Sequence, residues 1–323
     1  MRVVVTGGTG FIGRMLARQL LERGTLAGPS GEQEPIERIT LLDTVVSEAV
    51  PAGLDDPRVE LVAGEVTDEA LVRELVSGPA VSVFHLASVV SGGAEQDFDL
   101  ALRVNLDGGR VVLDACRAAP GRPRLVLAST FAAFGGELPA RVSDRTKLTP
   151  ETTYGTTKVI LELLVNDYTR KGFLDGRAAR YPTVIVRPGK PNLAASSWVS
   201  AIVREPLAGR GYALPVPLAT PTLAIGVRAA AAGTIHLHDL PGEALGHDRA
   251  VTFPGIEVTA GALLEAARRA GATGAVTVER DPFVERICAG WPTAMEPDRA
   301  DALGLPRDES VDAIVREYLA DEA

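Results

Sequence analysis

The sequence predicts an α/β fold in which a doubly wound parallel sheet is followed by a smaller, loop-rich C-terminal lobe. Three observations lead to this prediction. Short apolar runs alternate with amphipathic stretches through the first half of the chain, a glycine-rich turn follows the first run, and Pro and Gly become dense past residue 189. Because parallel strands are joined by crossover helices, the alternation places helices on both faces of the sheet.

Periodicity predicts the elements of the first half. Apolar, β-branched runs predict six strands, at 2–7, 38–43, 58–64, 81–87, 124–130 and 183–189. Apolar residues at helical spacing predict helices at 11–23, 68–77, about 97–118 and 154–171. The Gly-, Pro- and Glu-rich segment 25–37 is expected to be a surface insertion between the first helix and the second strand.

The pattern changes near residue 189, where shorter helical stretches follow at 226–239, 259–270 and 308–320. We therefore assign residues 1–188 to the sheet domain and residues 189–323 to a substrate-binding lobe. We do not expect a clean division there, because lobes of this kind often exchange segments with the sheet domain.

Composition excludes several classes of protein. The net charge of -9 argues against a nucleic-acid or anionic-membrane partner, and no apolar run approaches the roughly 18 residues that span a bilayer. The first residues, MRVVVTGG, do not resemble a signal peptide, so we expect a cytoplasmic protein. Cys116 and Cys288 lie far apart and no His-x-x-x-His spacing occurs, so we expect no metal site.

The glycine-rich turn TGGTGFIG (6–13) predicts a site for nucleotide phosphates. Gly7, Gly10 and Gly13 stand at G-x-x-G-x-x-G spacing, directly after a strand and at the opening of a helix. Gly7 permits the tight turn, Gly10 the approach of a pyrophosphate, and Gly13 the packing of helix on strand. The helix N-terminus, which includes Phe11 and Ile12, offers free N–H groups. A glycine-rich turn without a ligand is the alternative.

Asp43, at the end of the second predicted strand, indicates which dinucleotide binds. A carboxylate at this place in a Rossmann fold accepts hydrogen bonds from the adenosine ribose hydroxyls and repels a 2′-phosphate. No arginine follows immediately, so the sequence favours NAD over NADP. Residues 1–188 are therefore predicted to be an NAD-binding Rossmann domain. The alternative for Asp43 is a cap of a turn or helix.

Tyr154 and Lys158 form the candidate catalytic pair. They stand in YGTTK at the start of a helical run, and residues four apart share one helix face. We expect the ammonium to lower the pKa of the phenol, which then acts as a general base or acid near neutral pH. Thr130 ends the strand RLVLAST, at the sheet edge where ligands bind, and its hydroxyl is suited to bind the reacting oxygen.

These motifs, together with HLAS (85–88), the Asn105 helix and the AST…FGG segment, resemble the extended short-chain dehydrogenase/reductase superfamily, the NAD-dependent epimerase/dehydratase family. Stretches 89–109, 162–178, 186–197 and 204–209 resemble its D-erythronate dehydrogenase branch, which oxidises a four-carbon sugar acid at C2. The resemblance implies a catalytic Ser or Thr at Thr130, with Ser129 as second choice. It also implies further NAD contacts, besides those of Tyr154 and Lys158, from Glu65, Val66, Leu86, Ala87, Asn105 and Pro188.

Substrate contacts are expected from two segments and one helix. Ser91, Gly92 and Gly93 follow the fourth strand in a loop that should overhang the nicotinamide, unless it is an ordinary turn. Lys190 suggests a carboxylate partner, with a solvated surface lysine as the alternative, and Asn192 would add a hydroxyl contact. Arg228, which opens a helix, is a further candidate for binding an acid. Stretch 216–225 is uncharged, which argues against a clamp for a nucleotide diphosphate.

Three functions are weighed. The first is an NAD-dependent dehydrogenase that oxidises the C2 hydroxyl of a small sugar acid such as D-erythronate. The second is an NAD-dependent sugar-nucleotide 4-epimerase with the same catalytic residues. The third is a nucleotide sensor without catalysis, which an intact set of Thr130, Tyr154 and Lys158 argues against. The superfamily resemblance implies a homodimer that pairs through the helices at 97–118 and 154–171, although the same apolar residues would serve equally well in an intramolecular core.

Overall fold

A computed structural model describes residues 1–46, 50–189 and 194–322. The strands, in chain order, are β1 (Arg2–Thr6), β2 (Thr25–Ala27), β3 (Gln33–Pro35), β4 (Arg38–Asp43), β5 (Val59–Ala63), β6 (Val81–His85), β7 (Arg124–Thr130), β8 (Asp175–Tyr181), β9 (Thr183–Ile185), β10 (Tyr212–Leu214), β11 (Pro221–Gly226), β12 (Ala250–Thr252), β13 (Ile256–Thr259) and β14 (Val276–Val278).

The helices, in chain order, are α1 (Phe11–Arg23), α2 (Glu69–Val76), α3 (Ser91–Gln96), α4 (Phe98–Ala101), α5 (Gly108–Ala118), α6 (Thr153–Arg170), α7 (Ser197–Leu207), α8 (Val227–Asp239), α9 (Gly242–Leu245), α10 (Ala260–Arg269), α11 (Pro282–Ala289), α12 (Asp298–Ala302) and α13 (Val311–Glu322). A π-helical segment, Leu102–Asp107, joins α4 to α5. In the described part of the chain, no helix is long and apolar enough to cross a membrane.

Seven strands form one parallel sheet, in the order β12-β8-β7-β6-β1-β4-β5. The chain first builds β1, β4 and β5 in one direction and then continues on the other side of β1 with β6. The carboxyl ends of β1 and β6 therefore flank the switch point, where ligands bind in open α/β sheets. The predicted fold class is confirmed.

Each face of this sheet packs against its own layer of helices. Leu16 of α1 and Ile235 of α8 belong to a core with Phe84 of β6 on one face. Leu161 and Val165 of α6 belong to the core on the opposite face, with α2 and α5. Both residues are 1% exposed, so they serve the intramolecular core.

The sequence prediction misplaced the sixth strand of the main sheet. Of the run 183–189, only β9 is a strand, and it pairs with β11 in a separate sheet with β13. The neighbour of β7 is β8, DGRAARY, whose acid and two arginines hide its strand character. Periodicity also missed the β2–β3 hairpin within 25–37 and the division of 97–118 into three helical segments.

The C-terminal lobe packs α7, α10 and α13 around a further core with β9 and β11. The chain crosses between lobe and sheet domain more than once. Strand β12 returns to the edge of the main sheet beside β8, and α8 packs against α1.

Candidate active site

Two adjoining clefts open along the carboxyl edge of the main sheet. The larger, of about 420 Å³, is lined by the glycine loop and by residues that follow β4, β5 and β6. The smaller, of about 210 Å³, lies between the ends of β7 and β8, the start of α6 and the C-terminal lobe. We call them the cofactor cleft and the substrate cleft.

The glycine loop fits a pyrophosphate. Gly7 has φ +68°, in the left-handed region, and a Cβ there would lie 2.8 Å from the backbone nitrogen of Ala87. A Cβ on Gly13 would lie 2.6 Å from the carbonyl oxygen of Gly7. Gly10 caps α1 without a side-chain hydrogen bond, so the N–H groups of the first turn stay available to an anion.

Asp43 closes the far wall of the cofactor cleft. Its carboxylate accepts hydrogen bonds from the backbone N–H groups of Thr9, at 3.2 Å, and Thr44, at 2.9 Å. These bonds tie the end of β4 to the glycine loop and fix the side chain. A carboxylate has further lone pairs, so the capping contacts leave room for ribose hydroxyl donors.

The other predicted NAD contacts divide among several locations. Residues Gly7, Gly10, Asp43, Glu65, Val66, Leu86 and Ala87 line the cofactor cleft. Phe11 and Ile12 line the substrate cleft. Asn105 is fully buried behind the wall, where its amide binds the backbone of Val89. Pro188 lines a smaller cavity beside α1 and α13.

The start of α6 brings Tyr154 to Thr130. The Thr152 hydroxyl caps the helix by accepting from the backbone N–H of Gly155 at 3.1 Å. A Cβ on Gly155 would collide with the carbonyl of Ala132, so glycine lets α6 close onto the end of β7. The hydroxyl of Thr130 shares the substrate cleft with the phenol of Tyr154 and accepts a hydrogen bond from the N–H of Ala132 at 3.1 Å.

Lys158 lies one turn below Tyr154, with its Nζ 5.6 Å from the centroid of the phenol ring. Burial raises the pKa of Tyr154 to about 12, and the Thr130 hydrogen bond opposes that rise. Burial also lowers the pKa of Lys158 to about 8, against the charge of Glu162. The pKa of the phenol is therefore raised and not lowered as expected, because burial outweighs the effect of Thr130.

A buried polar layer under α6 was not predicted from the sequence. Glu162 binds the Ser129 hydroxyl and pairs bidentately with Arg180 of β8, at 2.7 and 3.0 Å. The Ser129 hydroxyl is thereby engaged by Glu162, which favours Thr130 over Ser129 as the candidate hydroxyl beside Tyr154. His85, at the end of β6, is also buried near Lys158. Burial and the charge of Lys158 lower the pKa of His85 to about 3. The four-residue spacing of Lys158 and Glu162, which places them one helical turn apart, was the sequence signal that could have indicated this layer.

The substrate cleft combines hydroxyl and aromatic groups from both parts of the chain. The predicted Ser91 lines it, together with Thr222, Trp291 and three serines of the segment that opens α7. Gly92 and Gly93 are buried in α3, where a loop was expected. Lys190 and Asn192 lie outside the described residues.

Arg228 is not brought to the substrate cleft. Its guanidinium pairs with both carboxylate oxygens of Asp321 on α13, at 2.7 and 3.1 Å. Two of its nitrogens are therefore engaged by Asp321, and the prediction that Arg228 contacts substrate is wrong. Arg187, which sequence reasoning did not select, lines the cleft instead.

Comparison with known proteins agrees with this geometry. A model of the NAD dependent epimerase/dehydratase family matches residues 3–221. D-erythronate dehydrogenase of Cupriavidus necator is 48% identical over 324 residues, covering 99% of this chain and 98% of that protein. The enzyme of the same name from Haemophilus influenzae is 36% identical over 99% of each chain.

Among solved structures, a nucleoside-diphosphate-sugar epimerase from Agrobacterium tumefaciens superposes with a TM-score of 0.89 at 37% identity, covering 100% of this chain and 94% of that one. The resemblance to the D-erythronate dehydrogenase branch is confirmed, as are the NAD cofactor and the class of enzyme, a dehydrogenase acting on a CH–OH group. The chain belongs to the NAD dependent epimerase/dehydratase family.

Proposed function

We propose that this protein oxidises the C2 hydroxyl of a small sugar acid, D-erythronate or a close aldonate, with NAD as hydride acceptor and Tyr154 as general base. The observation that carries the proposal is the placement of Thr130 and Tyr154 in one cleft, above buried Lys158 and beside the cofactor cleft. Two full-length relatives named D-erythronate dehydrogenase support the substrate class.

The mechanism assigns one task to each residue. Thr130 orients the C2 hydroxyl, and the Tyr154 phenolate accepts its proton as the C2–H bond breaks. Lys158 supplies the positive charge that a buried phenol needs in order to ionise. The residues of the cofactor cleft, Gly7, Gly10 and Asp43 among them, would hold NAD, which would supply the hydride acceptor. The products are a 2-keto acid, NADH and a proton that leaves through Tyr154.

The alternative, a sugar-nucleotide 4-epimerase, is supported by the name of the Agrobacterium structure. Two observations favour the dehydrogenase. The substrate cleft, at about 210 Å³, is smaller than the roughly 300–1,000 Å³ of typical sites for larger ligands. Stretch 216–225, which gives Thr222 and Leu223 to the cleft, carries no charge for a diphosphate.

The deciding experiment measures NADH formation by the purified protein with NAD and a panel of C4–C6 aldonates that includes D-threonate. Steady NADH production with one acid is expected, with turnover reduced about 10²- to 10⁴-fold in Tyr154→Phe. Silence across the panel, combined with interconversion of a sugar nucleotide, would assign the epimerase. A near-normal rate in Tyr154→Phe would remove Tyr154 from the mechanism.

We also propose that the enzyme works in the cytoplasm as a homodimer. Phe98 of α4 is 58% exposed and Leu163 of α6 is 62% exposed, and the two helices pack against each other. Exposed apolar side chains on neighbouring helices are typical of a subunit interface. Light scattering should give twice the 33.9 kDa of one chain for the wild type, and a lower mass for Leu163→Glu. A monomeric wild type would refute the dimer.

A further inference from the structure

The substrate cleft is almost uncharged. Its walls are formed by hydroxyl, aromatic and aliphatic side chains, and Arg187 is the only charged residue among the described residues that line it. A single cation in a neutral cleft selects for an anionic group on the ligand, because a desolvated charge without a counter-ion is costly.

The backbone of Arg187 is held on both sides by α7. Its N–H donates to the hydroxyl of Ser200 at 3.0 Å, and its carbonyl accepts from the Arg204 guanidinium at 2.7 Å. These two contacts fix the backbone position from which the side chain extends, although Arg187 lies just beyond the end of β9.

The guanidinium of Arg187 forms no hydrogen bond or ion pair with any residue that the structure describes. Of its two cationic neighbours, Arg204 pairs with Glu205 at 2.7 Å. Burial, followed by the charges of Arg204 and Arg14, lowers the pKa of Arg187. An anion bound at this guanidinium would stabilise its charge and so oppose the effects of burial, Arg204 and Arg14 on its pKa.

We propose that Arg187 binds the carboxylate of the substrate and thereby sets the specificity for acids over neutral polyols. A planar guanidinium matches a carboxylate with two parallel hydrogen bonds. The cofactor pyrophosphate is the competing anion, because Phe11 and Ile12 at the start of α1 line the same cleft as Arg187, although Gly7 and Gly10 line the other cleft. Arg187 shares its cleft with Thr130 and Tyr154, which favours the substrate. The carboxylate at Arg187 fixes which end of the sugar acid faces away from Tyr154.

The inference rests on the proposed function, so its test uses binding as well as turnover. Isothermal titration measures the Kd of D-erythronate for the protein saturated with NADH, and separately the Kd of NADH. In Arg187→Gln, the Kd of the acid should rise about 10- to 100-fold while that of NADH stays within about twofold. Arg187→Lys should recover part of the loss, because it keeps the charge but not the planar fork.

Arg228→Gln is the matched control, since it removes an arginine that Asp321 already pairs. It should leave the Kd of the acid unchanged. Oxidation of neutral erythritol, however slow, should respond equally little to Arg187→Gln, because that substrate has no carboxylate to lose.

The outcomes separate the two proposals. Oxidation of D-erythronate by the wild type with normal acid binding by Arg187→Gln would overturn the role of Arg187 and leave the dehydrogenase intact. Arg187-dependent binding of a C4–C6 acid without its oxidation would refute the proposed function and support the anion site. A loss of NADH affinity alone in Arg187→Gln would reassign the arginine to the pyrophosphate. Failure of the wild type to bind any acid would refute both.

Discussion

Thr130 offers a sharp test of how the site activates Tyr154. Replacing it with Val keeps the shape of the side chain and removes the hydroxyl that hydrogen-bonds the phenol. A hydrogen bond to a charged group contributes about 1.5–3 kcal/mol, and every 1.36 kcal/mol changes a rate tenfold. We therefore expect kcat/KM for the acid to fall about 10- to 150-fold in Thr130→Val.

The pH profile distinguishes this role from a packing effect. The Thr130 hydrogen bond opposes the burial that raises the pKa of Tyr154 to about 12, so its loss should raise that pKa further. The base must be ionised to act, and the ascending limb of activity should then move to higher pH. The defect should consequently shrink as the pH rises.

Two controls accompany the kinetics of Thr130→Val. Thr130→Ser keeps the hydroxyl and should remain within a few-fold of the wild type. The valine variant also leaves the Ala132 N–H without its acceptor, which should lower the free energy of unfolding by about 1 kcal/mol. Activity of Thr130→Val within twofold of the wild type across the pH range would refute the reasoning.

Three further predictions concern charge. In Glu162→Gln, the pKa of Lys158 should fall further, because the Glu162 carboxylate supports the charged ammonium, and the alkaline limb of the pH–activity profile should move to lower pH. An unmoved limb would contradict this. In Asp43→Asn, KM for NAD should rise about tenfold and discrimination against NADP should weaken. Steady-state kinetics with both cofactors measures this, and an unchanged preference for NAD over NADP would show that Asp43 only caps the turn. Burial lowers the pKa of His238 to about 4 from 6.5, so stability should fall as the pH drops below about 6.5, and this fall in urea melts should be smaller in His238→Gln.

The elements predicted correctly from the sequence are those whose signal is local. The glycine loop, the strand before it and the helix after it are contiguous in sequence and in space, and α1 begins and ends at the predicted residues. Tyr154 and Lys158 share one helix face because they are four residues apart. Each of these predictions required only the period of a regular element and its capping residue.

Site residues that depend on distant partners were not predictable in this way. Arg228 and Arg187 are both arginines near an apolar segment, and nothing local separates them. What separates them is Asp321, 93 residues beyond Arg228 and paired with it, whereas Arg187 has no such partner among the described residues. Availability for a ligand is a property of the folded neighbourhood, and a sequence pattern does not report it.

The sequence prediction also missed strand β8, because its charged residues serve a buried ion-pair network that includes Lys158. The ammonium of Lys158, which is 1% exposed, needs a nearby negative charge, and Glu162 provides it from the next turn of α6. A buried carboxylate needs its own compensation in turn, and breaking such a pair typically costs about 3–5 kcal/mol. Arg180 of β8 supplies it, and Asp144, which also accepts from Thr252 of β12, lies 3.5 Å from Arg180.

The charge of Lys158 thus depends on a chain of ion pairs. It runs from Glu162 to Arg180 of β8 and on to Asp144, which lies beside β12 at the edge of the main sheet. Arg180, one of the charged residues that hide the strand character of DGRAARY, also supports the charge of Lys158 through Glu162. A buried charge network of this kind favours one arrangement of α6 over β7 and β8, since sliding the helix by a turn would leave Glu162 or Arg180 without a partner. The position of Tyr154 beside Thr130 follows from that arrangement.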